Sequence, residues 1–287
     1  MSQILRIMID SEILLSNLIK EADGIYSYNF RNETQLDEIK MRDDVAHKHY
    51  DNYLEEVHHF HSIPVMDAEA DLFISQLPDK AAILDVGGCW GWHWRNLDKF
   101  NKQLTIVIVD LVRHNLYHAQ QVLDPLIRSG KVILVHGDAT NLPFADNTFD
   151  GYWSVQTIQH IPDFEAVISE AYRIVKPAGK FVNYSLNNSY LMRKIYSLLG
   201  KTYHLDGKIE GKYFLRRASN AQKDRIAKIF GNTVRIRFSE IVFQLEFKTV
   251  FSGREKSLLG KIDSFLSGGA GIRGLLARQI SFHTEKK

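Results

Sequence analysis

Acidic residues and glycines in the first half of the chain have the types and spacing to bind a charged ligand. Asp85 ends an apolar run from Ala81 and is followed by Gly87, Gly88 and Gly91. A buried strand that ends in a glycine-rich turn lets the backbone approach a nucleotide-like ligand, and free N–H groups at a following helix bind it. This stretch therefore predicts a loop that binds a cofactor.

The spacing of the glycines separates two kinds of cofactor. A loop that binds a nicotinamide dinucleotide follows the pattern Gly-x-Gly-x-x-Gly, and here the second and third glycine positions hold Cys89 and Trp92. An Asp-x-Gly-x-x-x-Gly pattern instead suits a ligand with an ammonium group and no pyrophosphate, such as S-adenosylmethionine. A nicotinamide enzyme remains the alternative. Parallel binding measurements with NAD and S-adenosylmethionine distinguish the two.

Asp110 and His160 are the next residues that could act on a ligand. Asp110 ends the following apolar run, where a carboxylate can accept hydrogen bonds from both hydroxyls of a ribose. An ordinary helix-capping acid is the alternative. His160 follows the fourth predicted strand and is the candidate general base, because an imidazole titrates near neutral pH. Its alternative is a histidine that is hydrogen-bonded within the turn before Pro162.

A series of short motifs continues this pattern along the chain. The motifs are Leu84-Asp85-Val86-Gly87 with Gly91, Val109-Asp110, Gly137-Asp138-Ala139, Leu142-Pro143-Phe144, Phe149-Asp150, His160-Ile161-Pro162-Asp163, and Arg173-Ile174-Val175-Lys176-Pro177-Ala178-Gly179. In this order they resemble the class I S-adenosylmethionine-dependent methyltransferases, in the group similar to the ubiquinone and menaquinone biosynthesis methyltransferases. The resemblance covers residues 80–188 strongly and the last strands more loosely. One departure is Cys89, which stands where family members usually have a glycine.

The resemblance implies S-adenosylmethionine as the cofactor and a role for each matching position. Gly87 and Gly91 lie against its methionine part, and Asp85 orients its ammonium group. The other implied contacts are Asp110 with the ribose, Asp138 with the adenine amino group, the Ala139 N–H and Leu142 with the adenine ring, and the backbone from Ser154 to Gln156 with the methionine part and the methyl group. Because methyl transfer is an in-line displacement, the protein mainly aligns the acceptor and excludes water.

Apolar strands that alternate with helices must position these residues. The predicted strands are 81–87, 104–110, 132–136, 149–155 and 180–186, with helices near 90–99, 112–129 and 163–176. Such alternation indicates a parallel sheet covered on both faces. We therefore predict an α/β fold with a Rossmann-like, seven-stranded, mostly parallel sheet, an N-terminal helical lid and a helical insert before the last two strands. The predicted domains are a lid at 1–79, a cofactor-binding core at 80–188, a basic insert at 189–232 and final strands within 233–287.

The predicted lid contains helices near 2–21, 32–60 and 66–77. Tyr50, Tyr53 and His58 lie in the second helix and are candidate substrate contacts, because family members often cover the active site with N-terminal helices. Five histidines between 47 and 61 suggest a metal site, but their spacing scatters them around the helix. We therefore predict no metal.

The charge distribution indicates which acceptor the protein could bind. Residues 1–80 contain 16 acidic and 7 basic residues, whereas residues 189–237 contain 12 basic and 3 acidic ones. The basic insert has two equally good explanations. It is a solvated helical face, or it contacts an anionic or amphiphilic acceptor or, transiently, a membrane surface. The net charge of +2 and the lack of an RNA-binding motif disfavour nucleic acid. No obligate protein partner is inferred.

Composition places the chain among cytoplasmic proteins. Cys89 is the only cysteine, so neither an intrachain disulfide nor a cysteine-based zinc site can form. No apolar run reaches the ~20 residues of a membrane helix, and the first segment lacks the features of a signal peptide. The sequence thus predicts a methyltransferase for a small-molecule, lipid-linked or glycan-type acceptor. Other chemistry on the same fold, or a non-catalytic binding role, is the alternative.

Overall fold

The computed structural model describes residues 15–48, 53–244 and 253–287. Within them the strands are β1 Ile19–Lys20, β2 Tyr26–Ser27, β3 Ala82–Val86, β4 Thr105–Asp110, β5 Val132–His136, β6 Phe149–Val155, β7 Val175–Leu186, β8 Asp206–Ile209, β9 Tyr213–Arg216, β10 Arg235–Ser239 and β11 Gln279–Glu285. The α-helices are α1 Leu36–Lys48, α2 Tyr53–Phe60, α3 Ile63–Ser75, α4 Arg113–Arg128, α5 Phe164–Ile174, α6 Tyr190–Leu198, α7 Asn220–Phe230 and α8 Leu258–Leu266.

The central sheet is largely parallel, as the alternating pattern predicts. Its strand order is β1-β2-β5-β4-β3-β6-β7-β11-β10, and all pairings from β2 to β7 are parallel. Strand β11 lies between β7 and β10 and is antiparallel to both. The carboxyl ends of β3, β4, β5 and β6 therefore meet at one edge of the sheet, where α/β proteins bind ligands.

The sheet has nine strands among the described residues, two more than predicted. The additional strands β1 and β2 are two residues long and come from the N-terminal segment. Strand β2 pairs with β5 and extends the sheet at that edge. The helix predicted over 2–21 is wrong at its end, since residue 15 is helical but residues 19–20 form a strand.

Helices cover both faces of the sheet. On one face, α3 and α4 pack against β3 and β4 in a cluster that includes Phe73, Leu116 and Trp153. On the other face, α5 and α7 pack against Tyr152, Phe181 and neighbouring apolar residues. Apolar side chains on alternate positions of each strand supply both clusters, as expected for a sheet that is buried on its two faces.

Two predicted helical segments have other structures. The glycine-rich loop is followed by two single 3₁₀ turns, Trp92–Trp94 and Leu97–Lys99, and not by an α-helix over 90–99. The large aromatic side chains of this segment turn inward, which a regular helix on the surface would not permit. The insert contains the antiparallel hairpin β8–β9 between α6 and α7, so it is less helical than predicted.

Candidate functional site

Three acidic residues lie together at the carboxyl edge of the parallel strands. Asp85 is near the end of β3, Asp110 is the last residue of β4, and Asp138 follows β5 by two residues. Strands β3, β4 and β5 are neighbours in the sheet, and all three carboxylates are buried. The sequence motifs that are far apart in the chain thus converge on one site.

The glycine-rich loop requires glycine for two separate physical reasons. Gly87 and Gly91 have φ values of +66° and +68°, a region that other residues enter only with strain. A Cβ atom at Gly87 would also lie 2.1 Å from Oγ1 of Thr157, and one at Gly88 would lie 2.4 Å from Oδ2 of Asp85. The loop is therefore packed tightly against the end of β6 and against the acid that precedes it.

Cys89 also has a left-handed conformation, with φ +51°, at the position where the family pattern has glycine. Its backbone N–H donates to Oδ2 of Asp110 at 2.9 Å. Burial raises the pKa of the Cys89 thiol, with the Asp110 charge adding to the shift, so the thiolate is not populated near neutral pH. The residue thus positions the loop on β4 through its backbone, and its sulfur is not an activated nucleophile.

Asp110 accepts hydrogen bonds on both carboxylate oxygens. Oδ2 accepts from Cys89, and Oδ1 accepts from the Val112 N–H at 2.8 Å and the Asn115 side chain at 3.2 Å. Each carboxylate oxygen has two lone pairs, so these three donors leave one acceptor position free, on Oδ2. Burial raises the pKa of Asp110, while the backbone donors oppose the shift.

Asp138 links the adenine side of the predicted site to the N-terminal segment. Its Oδ1 accepts from the Thr140 N–H at 2.8 Å, and its Oδ2 accepts from the Asn32 side chain at 2.8 Å. The Tyr28 hydroxyl donates to the carbonyl oxygen of Asn141 at 2.7 Å. Sequence inspection did not identify Tyr28 or Asn32, because nothing in the residues around them resembles a ligand-binding motif.

Ala139 and Leu142 are buried beside Asp138. The Leu142 N–H donates to Glu170 at 2.8 Å, and its carbonyl accepts from Arg173 at 3.0 Å. Two of the motifs identified in the sequence are thereby joined, since Arg173 begins the last of them. The pair Glu170 and Arg173 on α5 supports the loop after β5.

The three tryptophans after the glycine loop are all buried in one core cluster. Trp94 donates to Oδ2 of Asp85 at 2.7 Å, and Trp90 donates to Oδ1 of Asn115 at 3.1 Å. Asn115 in turn donates to Asp110. Trp94 therefore holds Asp85 directly, and Trp90 holds Asp110 through Asn115. All three tryptophans thus pack in the core.

The segment after β6 completes the site. Ser154 is buried, and its hydroxyl donates to the carbonyl of Val86 at 3.2 Å. Gln156 has φ +53°, and its side-chain nitrogen is buried without a hydrogen-bond partner. An amide donor in this state is available to an acceptor that the protein itself does not supply.

Both ring nitrogens of His160 have hydrogen-bond partners. Nδ1 lies 2.7 Å from the Phe214 carbonyl, so it carries the proton, and Nε2 lies 3.1 Å from the Gln159 side-chain nitrogen, so it accepts. Burial, with the Arg42 charge nearby, lowers the pKa of His160 to about 3. The ring is therefore neutral near pH 7 and joins the end of β6 to the hairpin β8–β9.

Helix α1 closes over this region with a buried acid that sequence inspection did not identify. Glu38 is paired with Arg42 at 3.4 Å and lies 3.7 Å from Nδ1 of His160, while its Oε2 is buried without a partner. Burial raises the pKa of Glu38. Gln35, which directly precedes this helix, donates to the His160 carbonyl at 3.1 Å.

The predicted substrate contacts are only partly described. Tyr50 lies outside the described residues, and Tyr53 is the first residue of α2. His58 is buried in the same helix, with its ring 4.3 Å from that of His59. Across residues 15–48, 53–244 and 253–287, no group of three or more His, Cys, Asp or Glu side chains could hold a metal ion.

Comparison with known proteins defines the class of the central region. Residues 84–183 match the family model described as "Methyltransferase domain". This region is a class I S-adenosylmethionine-dependent methyltransferase domain, similar to that of the ubiquinone and menaquinone biosynthesis enzymes.

Two curated relatives show how far the similarity extends. A ubiquinone/menaquinone biosynthesis C-methyltransferase of Rickettsia prowazekii is 33% identical over 117 residues, which cover 39% of this chain and 47% of the relative. The 24-methylenesterol C-methyltransferase 3 of Arabidopsis thaliana is 29% identical over 140 residues, covering 44% and 38%. The match thus spans less than half the length of these relatives.

Solved structures share the fold over most of the chain. A possible histamine N-methyltransferase of Thermotoga maritima has a TM-score of 0.56 at 19% identity, covering 87% of this chain and 99% of its own. The [4+2]-cyclase SpnF has a TM-score of 0.52 at 13% identity, covering 77% and 80%. At these identities the similarity concerns the fold alone.

Proposed function

We propose that the protein transfers a methyl group from S-adenosylmethionine to a small amphiphilic acceptor. The observation that supports this most is the convergence of Asp85, Asp110 and Asp138 at adjacent strand ends. A ligand with an ammonium group, a ribose and an adenine offers donors to three carboxylates. A dinucleotide would instead place phosphates beside them, which the like charge disfavours.

The residues present fit this cofactor. The remaining lone pair on Oδ2 of Asp110 would accept from a ribose hydroxyl, and Asp138 would accept from the adenine amino group. The unpartnered amide nitrogen of Gln156 is a suitable donor to the carboxylate of the methionine part. Asp85 would orient the ammonium group, and Gly87 and Gly91 would allow its close approach.

The bound cofactor would supply a methyl group on a sulfonium, and transfer breaks that carbon–sulfur bond as an electron pair of the acceptor forms the new bond. The chain's own residues would align the acceptor and exclude water. The N-terminal segment, helix α1 and the hairpin β8–β9 all contact the loops at this edge of the sheet. They form the cover that such a reaction requires.

His160 is better suited to hold this cover in place than to accept a proton. Its two nitrogens are already hydrogen-bonded, and its pKa of about 3 makes it a weak base. Glu38 has a buried oxygen without a partner in the same region. For an acceptor that must lose a proton, we propose Glu38 as the base and His160 as the residue that positions it.

The acceptor is proposed from chemistry that the relatives and the chain share. The two curated relatives are named for transfer to carbon in quinone biosynthesis and on a sterol. Both names indicate apolar compounds, and the insert of this chain combines aromatic and basic residues, as an amphiphilic acceptor requires.

A second function on the same fold has one observation in its favour. The cyclase SpnF shares the fold without being named a methyltransferase, so the architecture alone does not dictate methyl transfer.

Two measurements test the proposal in sequence. Calorimetry with S-adenosylmethionine and NAD in parallel should show binding of the first cofactor alone. Labelled methyl transfer to lipid and aqueous fractions of a cell extract, with products identified by mass, should then give a methylated amphiphile. Cofactor binding with no labelled product in any fraction would support the second function, and binding of NAD alone would exclude both.

A further inference from the structure

Helices α6 and α8 and the 3₁₀ turn that follows α8 expose large apolar side chains on one end of the molecule. Phe265 and Leu258 in α8 are 87% and 73% exposed, Leu198 in α6 is 86% exposed, and Ile272 is 81% exposed. Single exposed apolar residues are ordinary on protein surfaces, but a contiguous set marks an interaction site. We call α6, the 3₁₀ turn Gly271–Leu275 and α8 the apolar end.

The apolar end is built as a set of amphipathic helices. In α8, Leu258, Ile262 and Phe265 follow the spacing i, i+4 and i+7, so they share the outer face. The opposite face holds Gly260, which packs against Pro64, and the buried Asp263. In α6, Met192 is buried while Leu191 and Leu198 are exposed at a separation of seven residues.

Hydrogen bonds join the three elements into one surface. Ser189, which caps α6, donates to the Leu275 carbonyl, and Asn187 donates to the Gly274 carbonyl at 2.8 Å. Arg273 donates to the carbonyl of Leu266, the last residue of α8, at 2.7 Å. These bonds connect the start of α6 and the end of α8 to the same 3₁₀ turn.

The charges around this surface are predominantly positive. Segments 189–204 and 253–276 contain seven basic residues and two acidic ones: Arg193, Lys194, Lys201, Arg254, Lys256, Lys261 and Arg273, with Glu255 and Asp263. Both acidic residues already have partners within the protein, although Glu255 is exposed. Glu255 pairs with Arg95 at 3.2 Å, and Asp263 is buried and accepts from three backbone N–H groups.

The apolar end lies on the same side of the sheet as the three acidic residues. Helix α6 begins four residues after the carboxyl end of β7, and the turn before β11 meets it there because the two strands are antiparallel. Helix α8 lies between β10 and that turn in the chain. A partner bound at this end would thus face the edge where the proposed cofactor site lies.

We propose that the apolar end docks on the surface of an anionic lipid bilayer. Exposed Leu, Ile and Phe side chains with Lys and Arg around them match the acyl and phosphate layers of such a surface. A protein partner would need a complementary acidic surface with apolar pockets, whereas a bilayer supplies both layers without specific shape. The inference goes beyond the proposed function, since lipid docking does not require that methyl transfer occurs.

Sedimentation with vesicles tests the docking directly. The full chain should bind vesicles of equal parts phosphatidylcholine and phosphatidylglycerol, and bind phosphatidylcholine vesicles at least about tenfold more weakly. The double variant Leu198→Ser, Phe265→Ser should lose more than about tenfold in binding, because both side chains no longer bury apolar surface. Lys194→Gln and Lys261→Gln should each lose about fivefold, and less at high salt.

Matched controls lie elsewhere on the molecule. Ile19→Ser alters an exposed apolar residue on β1, at the opposite edge of the sheet, and Lys228→Gln alters an exposed lysine of α7. Neither should change vesicle binding. Calorimetry with S-adenosylmethionine on every variant separates this proposal from the proposed function, because the apolar end touches none of the cofactor residues.

Three outcomes would overturn the docking proposal. The first is no binding to anionic vesicles, and the second is binding that the control variants reduce as much as the test variants. The third is a wild-type dimer in sedimentation velocity that does not bind vesicles and that the double variant Leu198→Ser, Phe265→Ser dissociates. That result would assign the surface to a second copy of the chain.

Discussion

The indole nitrogen of Trp94 lies 2.7 Å from Oδ2 of Asp85, so the acid near the end of β3 is hydrogen-bonded inside the protein. Burial raises the pKa of Asp85 from 3.8 to about 7, the Trp94 donor opposes the shift, and the Asp110 charge adds to it. Asp85 is therefore close to half-protonated at neutral pH. A cation that binds beside it would favour its charged form.

This pKa predicts how the stability of the cofactor-free protein depends on pH. The unfolded chain releases the proton of Asp85 near pH 3.8 and the folded protein near pH 7. Between these values the folded state binds more protons, so the free energy of unfolding contributed by this group falls as the pH rises. Asp85→Asn has no proton to release here. Its free energy of unfolding relative to wild type should therefore rise with pH across this window, by on the order of 1.4 kcal/mol per pH unit.

Denaturant unfolding at several pH values measures this difference. Asp124→Asn, which alters an exposed acid of α4, is the matched control and should follow wild type at each pH. A constant offset between Asp85→Asn and wild type at all pH values would contradict the assigned pKa.

Asp110→Asn should weaken S-adenosylmethionine binding at least about tenfold, or on the order of 1.4 kcal/mol, because a charge-assisted contact to a ribose hydroxyl is lost. Calorimetry measures the affinity. Since Asp110 also accepts from the Val112 N–H, circular dichroism and thermal unfolding must show that the variant is folded. Unchanged affinity in a folded variant would mean that the ribose binds elsewhere.

Asn32→Ala should reduce cofactor affinity about tenfold, because the N-terminal segment loses its hydrogen bond to Oδ2 of Asp138. Limited proteolysis should also cut this segment faster in the variant. Asn96→Ala, an exposed asparagine in the loop before β4, is the control and should change neither measurement. Faster proteolysis with normal affinity would show that the segment covers the site without supporting the cofactor.

His160→Asn should lower the transfer rate about ten- to a hundredfold by misplacing Glu38 and the hairpin, while the shape of the pH profile is retained. A pKa of about 3 keeps His160 uncharged between about pH 5 and 8, so it contributes no ionisation to the rate there. Glu38→Gln, in contrast, should remove the acid limb of the profile if the acceptor must lose a proton. Loss of that limb in His160→Asn would identify His160 as the base.

Local pattern and spacing were sufficient for the core of the fold. Continuous apolar runs that end in Asp85 and Asp110 determine buried parallel strands, and strands in parallel register bring their carboxyl ends to one edge. Positive φ at Gly87 and Gly91 is likewise expected where a turn follows directly on a strand. These features depend on interactions between residues close in sequence, which is why a linear pattern records them.

Contacts between distant segments were not predictable in the same way. The tryptophans after the loop prevented the expected helix, since burying three large rings in one cluster stabilises the fold more than a regular surface helix would. The hairpin in the insert is short and partly exposed, so its residues lack a clear alternation of apolar and polar positions.

The sequence by itself determined the class of the domain and the positions of Asp85, Asp110 and Asp138, because each is tied to the end of a strand that its own neighbours specify. Only the tertiary structure decided that Asn32 contacts Asp138, that both nitrogens of His160 are occupied, and that α6 and α8 expose their apolar faces together. These depend on which segments meet in space. Contacts such as those of Asn32 with Asp138, 106 positions apart, and of His160 with Phe214, 54 positions apart, leave no periodic trace in the chain.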